Sequence, residues 1–117
     1  MTRTSPLFDL AFALPDHLVR GADAARDLDG LLRRSDIDNI VILGMGTGRS
    51  AGLAVRAVGS AVIPVPILVE SCYEIPACVG DRSLVFAVSG SGSTDEVNYA
   101  AAASAALGAR LVVVSVE

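Results

Sequence analysis

Four short aliphatic runs constrain the fold of this chain more than any other feature of its sequence. They are Ile40–Leu43, Val65–Val69, Leu84–Val88 and Leu111–Val116, and each has the length and composition of a buried strand. Helical or loop segments separate these runs, so strands and helices alternate along the chain. That alternation predicts an α/β fold with an open parallel sheet and right-handed crossovers, covered on both faces in a three-layer sandwich.

The segments with helical spacing predict three helices, at about residues 15–34, 50–59 and 94–107. Pro15 and Asp16 are typical of a helix start, and Gly108 is typical of a helix stop. Apolar residues make up 52% of the chain but aromatic residues only 4%, so the core must be aliphatic. In the second helix, the residues expected to face inward are Leu53, Ala54, Ala57 and Val58.

The composition argues against several classes of function. The net charge is −4 and no cluster of Lys or Arg occurs, so nothing indicates a nucleic-acid partner. No apolar run approaches the roughly 20 residues that span a bilayer, which predicts a cytoplasmic protein without membrane contact. Cys72 and Cys78 lack further ligands at metal spacing, so we expect reduced thiols and no metal site.

The segment Ser89-Gly90-Ser91-Gly92-Ser93-Thr94-Asp95-Glu96 places four hydroxyls and two glycines between the third strand and the third helix. The first amides of a helix have no partner within it, and the helix dipole places partial positive charge there. Hydroxyls donate hydrogen bonds without adding charge. This segment, here called the hydroxyl loop, therefore predicts a phosphate site. The alternative is that Ser93 or Thr94 only caps the helix, which needs a single hydroxyl.

A second glycine-rich segment, Gly44-Met45-Gly46-Thr47-Gly48-Arg49-Ser50, joins the first strand to the second helix. Ligands of open parallel sheets bind beyond the carboxyl ends of the strands, so a strand order of 2-1-3-4 would place both loops beside one crevice. Residues 46–51 also fit the G-x-G-x-x-A pattern of a dinucleotide site, with Glu70 placed to hold a ribose hydroxyl. The hydroxyl loop argues against that alternative, because a dinucleotide site does not need its row of hydroxyls.

The hydroxyl loop resembles the S-x-S-G-x-T-x-E signature of the sugar isomerase (SIS) domain family, whose members bind phosphosugars. Within that family, the chain is similar to the N-terminal half of bacterial bifunctional phosphoglucose/phosphomannose isomerases. Gly44-Met45-Gly46, Tyr73-Glu74-Ile75-Pro76 and the Leu14-Pro15 helix start carry this further resemblance. The resemblance implies a flavodoxin-like strand order and a partial SIS-type domain over residues 15–117, incomplete at its C-terminus. An N-terminal extension of residues 1–14 would precede it.

The resemblance also implies a phosphate pocket built from both loops. The first loop of the family commonly reads G-M-G-G-S, whereas this chain has three residues between Gly46 and Ser50, so its hydroxyl could come from Thr47 or Ser50. We favour Ser50, with Arg49 either paired with the phosphate or simply solvated. The predicted phosphosugar-binding residues are Gly46, Thr47, Arg49, Ser50, Ser89, Ser91, Gly92, Ser93 and Thr94.

Members of this family type isomerise aldose phosphates to ketose phosphates through an enediol-like intermediate. The resemblance therefore implies glucose 6-phosphate or mannose 6-phosphate and fructose 6-phosphate as substrates. The matching catalytic residues would lie in a second SIS half, so no catalytic residue is predicted here, and Glu74 and Glu96 are not interpreted as the base. The alternatives are a non-catalytic phosphosugar sensor and, less favoured, a nicotinamide-dinucleotide-binding domain.

The predicted partners are a small-molecule hexose phosphate and either a second copy or a second SIS half. The second expectation follows from the last strand, which would leave a sheet edge exposed. No cofactor is expected.

Overall fold

The computed structural model describes residues 5–116, which divide between Leu31 and Leu32 into two compact units. The second unit contains the predicted sheet, whose strands are β1 (Asn39–Gly44), β2 (Ile67–Glu70), β3 (Ser83–Val88) and β4 (Arg110–Val114). They lie in the order β2-β1-β3-β4, and all three pairings are parallel. The predicted open parallel sheet and its strand order are therefore confirmed.

Two helices, α2 (Thr47–Gly59) and α3 (Asp95–Ala106), pack on opposite faces of this sheet. Successive side chains of a strand point to opposite faces. Val41 and Leu43 of β1 accordingly join a core cluster with Val97 and Ala100 of α3. Ile42, between them, faces α2 instead. The three-layer arrangement follows from strands that are apolar on both faces.

Helix α2 approaches the sheet through glycines, which corrects one sequence-based prediction. Its buried residues are Gly48, Gly52 and Gly59. A Cβ added at Gly52 would lie 2.9 Å from Cγ2 of Ile42 and 3.1 Å from Cγ1 of Val69. Of the residues predicted to face inward, Leu53 is half-buried. The other three, Ala54, Ala57 and Val58, are exposed, so this prediction was wrong for them.

The N-terminal helix, α1 (Pro6–Ala25), begins and ends about nine residues before its predicted bounds of 15–34. The amide of Leu7 donates to the Ser5 hydroxyl at 3.4 Å, and Pro6 occupies the first position, where its missing N–H costs nothing. Pro15, predicted to start the helix, lies inside it. The chain therefore carries two proline start signals, and the earlier one is used. The assignment of residues 15–117 to one SIS-type domain stays a prediction.

Several smaller observations complete the fold. A short 3-10 helix, Arg34–Asp36, precedes β1, and β2 begins directly after Pro66. Cys72 and Cys78 are both exposed free thiols. Within residues 5–116, no helix is long and apolar enough to cross a membrane. The same part of the chain holds no group of three or more His, Cys, Asp or Glu side chains that could bind a metal ion.

Candidate functional site

The two glycine-rich loops lie at the same edge of the sheet, beyond the carboxyl ends of β1 and β3. These strands are neighbours, and Gly44, the last residue of β1, pairs with Val88, the last residue of β3. The first turn of α2 packs against the end of β3 so closely that a Cβ on Gly48 would lie 2.6 Å from the Val88 carbonyl oxygen. Strand pairing and helix packing together bring the two loops next to each other.

A cleft of about 260 Å³ runs along this edge and is lined by both loops. The first loop and α2 contribute Thr47, Gly48 and Ala51, and the hydroxyl loop contributes Gly90. The end of β4 and the residues after it form the remaining wall. Among the described residues, those that line the cleft are Thr47, Gly48, Ala51, Val88, Gly90, Val114, Ser115 and Val116.

Both helices that start at this edge lack a side-chain cap. Gly46 is the N-cap residue of α2 and has no side chain to offer, and Thr94 is the N-cap residue of α3 but makes no capping hydrogen bond. Each loop turns at a glycine with positive φ, +54° at Gly46 and +68° at Gly92, a conformation that favours glycine. The first-turn amides of both helices are therefore left without a capping side chain, which is the arrangement that suits an anion.

Ser89 and Thr94 form a hydrogen-bonded pair at the two ends of the hydroxyl loop. Their hydroxyl oxygens are 3.0 Å apart, and either one can be the donor. Ser89 is buried, with 7% of its surface exposed, and Thr94 is half-buried. One proton suffices for the bond between them, so the pair keeps a second proton for a ligand. This use of Thr94 argues against the interpretation in which it only caps α3.

Ser91 and Ser93 form a second pair on the exposed part of the loop. Both the hydroxyl and the amide of Ser93 donate to the Ser91 hydroxyl oxygen, at 3.0 Å and 3.3 Å. A serine oxygen accepts two hydrogen bonds and donates one. Because Ser93 fills both acceptor positions, the Ser91 proton remains available for a different acceptor. Asn98 of α3 steadies the loop by donating to the Gly92 carbonyl at 3.3 Å.

Of the three polar residues that the sequence predicted in the first loop, one lines the cleft and two do not. Thr47 lines it, whereas Ser50, the residue favoured from the sequence, is not among the lining residues. The other predicted site residues also lie outside the lining: Gly46, Arg49, Ser89, Ser91, Gly92, Ser93 and Thr94. The Ser50 hydroxyl instead donates to the Gly46 carbonyl one turn earlier, at 3.3 Å. Arg49 is exposed, and in the part of the chain that the structure describes it makes no ion pair.

The chain is similar to known proteins both in sequence and in structure. Over 109 residues the chain is 28% identical to the bifunctional phosphoglucose/phosphomannose isomerase of Caldicellulosiruptor bescii, a match that covers 93% of the chain and 32% of that protein. The chain thus spans about a third of the length of this relative. No protein-family model matches the chain.

Two crystal structures of candidate phosphosugar isomerases share the architecture. The protein from Clostridium difficile 630 has a TM-score of 0.62 at 19% identity, over 68% of this chain and 24% of that one. The protein from Bacillus subtilis has a TM-score of 0.61 at 23% identity, over 69% and 26%. The chain has a phosphosugar isomerase-like fold. The SIS-type resemblance seen in the sequence is confirmed at this level.

Within this phosphosugar isomerase-like fold, sequence reasoning missed two contributors to the cleft. Gly48 was counted only as part of a glycine-rich loop, although its lack of a Cβ is what lets α2 reach Val88. Ser115 was assigned to the last strand, predicted to run to Val116, whereas β4 ends at Val114. The parallel arrangement itself was the available signal, because it brings the carboxyl end of β4 to the same edge as the two loops.

Proposed function

We propose that the chain is the phosphosugar-binding SIS domain of an aldose–ketose isomerase that interconverts glucose 6-phosphate or mannose 6-phosphate with fructose 6-phosphate. The observation that supports this most is the shared cleft, to which both glycine-rich loops contribute at the carboxyl edge of the sheet. The similarity to a bifunctional phosphoglucose/phosphomannose isomerase supports the substrate class.

The phosphate group of the substrate would lie between the start of α2 and the hydroxyl loop. The first turn of α2 has no acidic residue, whereas the first turn of α3 carries Asp95 and Glu96. The positive end of the α2 dipole is therefore not offset by a carboxylate of its own first turn. Thr47, which lines the cleft, and Ser91, which is exposed on the hydroxyl loop next to the lining residue Gly90, would supply hydrogen bonds to the anion. Such bonds are stronger than bonds between neutral groups.

The role of this chain would be to bind and orient the substrate. Within residues 5–116, the residues that line the cleft are glycines, apolar side chains and two hydroxyl-bearing residues, without a carboxylate or an imidazole. Moving a proton between two adjacent carbons needs such a base. Fixing the phosphate end would hold those carbons in place for a base supplied from outside this lining.

The same observation favours a second candidate function, a phosphosugar sensor without catalytic activity. A sensor needs the two loops but no base. Assaying the protein for conversion of glucose 6-phosphate to fructose 6-phosphate separates the candidates. Turnover supports the isomerase, and tight binding without turnover supports the sensor.

The binding function is tested by removing the buried hydroxyl pair, with the variant Ser89→Ala/Thr94→Ala. We expect binding of glucose 6-phosphate, measured by titration calorimetry, to be abolished, since each charge-assisted hydrogen bond contributes about 1.5–3 kcal/mol. Ser35→Ala/Ser60→Ala removes two exposed hydroxyls outside the cleft and should bind as the unmodified chain does. Unchanged affinity in the first variant would refute the proposed site.

A further inference from the structure

We propose that Ser115 is a further phosphosugar contact, so that the binding site draws on the ends of three strands instead of two. This inference rests on the function proposed above. Ser115 lies outside both glycine-rich loops. The sequence motifs of those loops do not indicate a role for this residue.

The register of the sheet places Ser115 beside the hydroxyl loop. Val88 and Val114 are paired as the last residues of β3 and β4, so Ser89 and Ser115 occupy equivalent positions, one residue beyond each strand. The amide of Ser89 donates to the Val114 carbonyl at 3.0 Å, which extends the contact between the two chain segments past the strand ends. Ser115 is thus held at a fixed position next to the loop.

Ser115 also faces the cleft. It is half-buried and lines the same cavity as Thr47 and Gly90. A Cβ added at Gly92 would lie 3.2 Å from the Ser115 hydroxyl oxygen, so the missing side chain at Gly92 leaves this oxygen next to the backbone of the hydroxyl loop. A ligand bound by that loop would therefore lie close to the Ser115 hydroxyl.

The surroundings of Ser115 suit the sugar phosphate as a whole. Val88, Val114 and Val116 give the cleft apolar surface, which fits the C–H groups of a sugar. Ser115 places a hydroxyl within that surface. Ser115 has an interaction of its own within the protein. A hydroxyl offers one donor and two acceptor positions, so it can keep a protein contact and still bind a ligand oxygen.

The test compares Ser115→Ala with Ser115→Thr, which keeps the hydroxyl, and with Ser60→Ala as a control outside the cleft. We expect Ser115→Ala to weaken glucose 6-phosphate binding about fivefold, the loss of one hydrogen bond, while Ser115→Thr and Ser60→Ala retain most of the affinity. Thermal unfolding without ligand should be similar for all three variants. A merely structural role would lower the unfolding temperature of Ser115→Ala together with its affinity.

Two results would overturn the inference, and they have different meanings. If the unmodified chain binds glucose 6-phosphate and Ser115→Ala binds it equally well, Ser115 is no contact, but the proposed function stands. If the unmodified chain binds neither glucose 6-phosphate nor fructose 6-phosphate, the proposed function fails and this inference fails with it.

Discussion

Thr47 and Ser50 lie one helical turn apart at the start of α2, but only Thr47 lines the cleft. The Ser50 proton is used in a bond to the Gly46 carbonyl. We therefore expect Thr47→Ala to weaken hexose-phosphate binding about tenfold, and Ser50→Ala to change it little, on the scale of one charge-assisted hydrogen bond. Calorimetric titration of both variants checks this. If Ser50→Ala weakened binding more than Thr47→Ala, Ser50 and not Thr47 would be the phosphate contact.

The hydroxyl loop can be recognised from the sequence by residue type and spacing, and its role as a phosphate site stays a prediction. The sequence could not indicate which hydroxyl groups donate their hydrogen bonds to other groups of the protein. Ser50 bonds back to a carbonyl four residues earlier, a choice of side-chain rotamer that no spacing rule encodes. Ser93 likewise donates its proton to Ser91, a contact that the spacing of the serines does not indicate.

Helix α2 depends on its glycines for its distance from the sheet. We expect Gly52→Ala to destabilise the fold by about 1–3 kcal/mol, because the added Cβ would overlap Ile42 and Val69 and force the helix or these side chains to shift. Gly21→Ala in α1 is the matched control. Apart from the backbone of α1 itself and the chain neighbours of Gly21, no atom of the described residues lies within 4 Å of its added Cβ, so the change should stabilise α1 by up to about 1 kcal/mol.

Urea unfolding of both variants measures the effect. Equal stability of Gly52→Ala and the unmodified chain would show that α2 does not need this close approach. Loss of stability in Gly21→Ala as well would show that the method responds to any glycine replacement.

At the level of elements, the strands were predicted closely and the helices less so. A continuous apolar run such as Leu84–Val88 is typical of a strand covered on both faces, which indicates its place in a covered sheet. The buried face of helix α2 was predicted wrongly because the prediction used the spacing of apolar side chains. Glycines have no side chain, and in α2 it is the glycines that are buried against the sheet. The predicted start of helix α1 was wrong because Ser5-Pro6 and Pro15-Asp16 are both typical of a helix start. The local sequence pattern does not show which of the two starts the helix.

Strand β4 is an edge strand of the sheet, and it exposes apolar side chains: Val113 is 65% exposed and Val114 is 47% exposed. Such edges pair readily with other chains. We expect the chain to self-associate as its concentration rises, and Val113→Lys to shift it toward monomer because a charge on an edge strand opposes pairing. Sedimentation velocity checks this, with Val58→Lys as a control at an exposed apolar position on α2. A stable monomer at all concentrations would contradict the expectation.

The central claim is that two loops at neighbouring strand ends grip one phosphate group, and a crystal structure of the chain with glucose 6-phosphate tests it most directly. We predict phosphate density between Thr47 at the start of α2 and Ser91 of the hydroxyl loop, within hydrogen-bonding distance of both. Phosphate bound to only one loop, or at the opposite edge of the sheet, would contradict the claim.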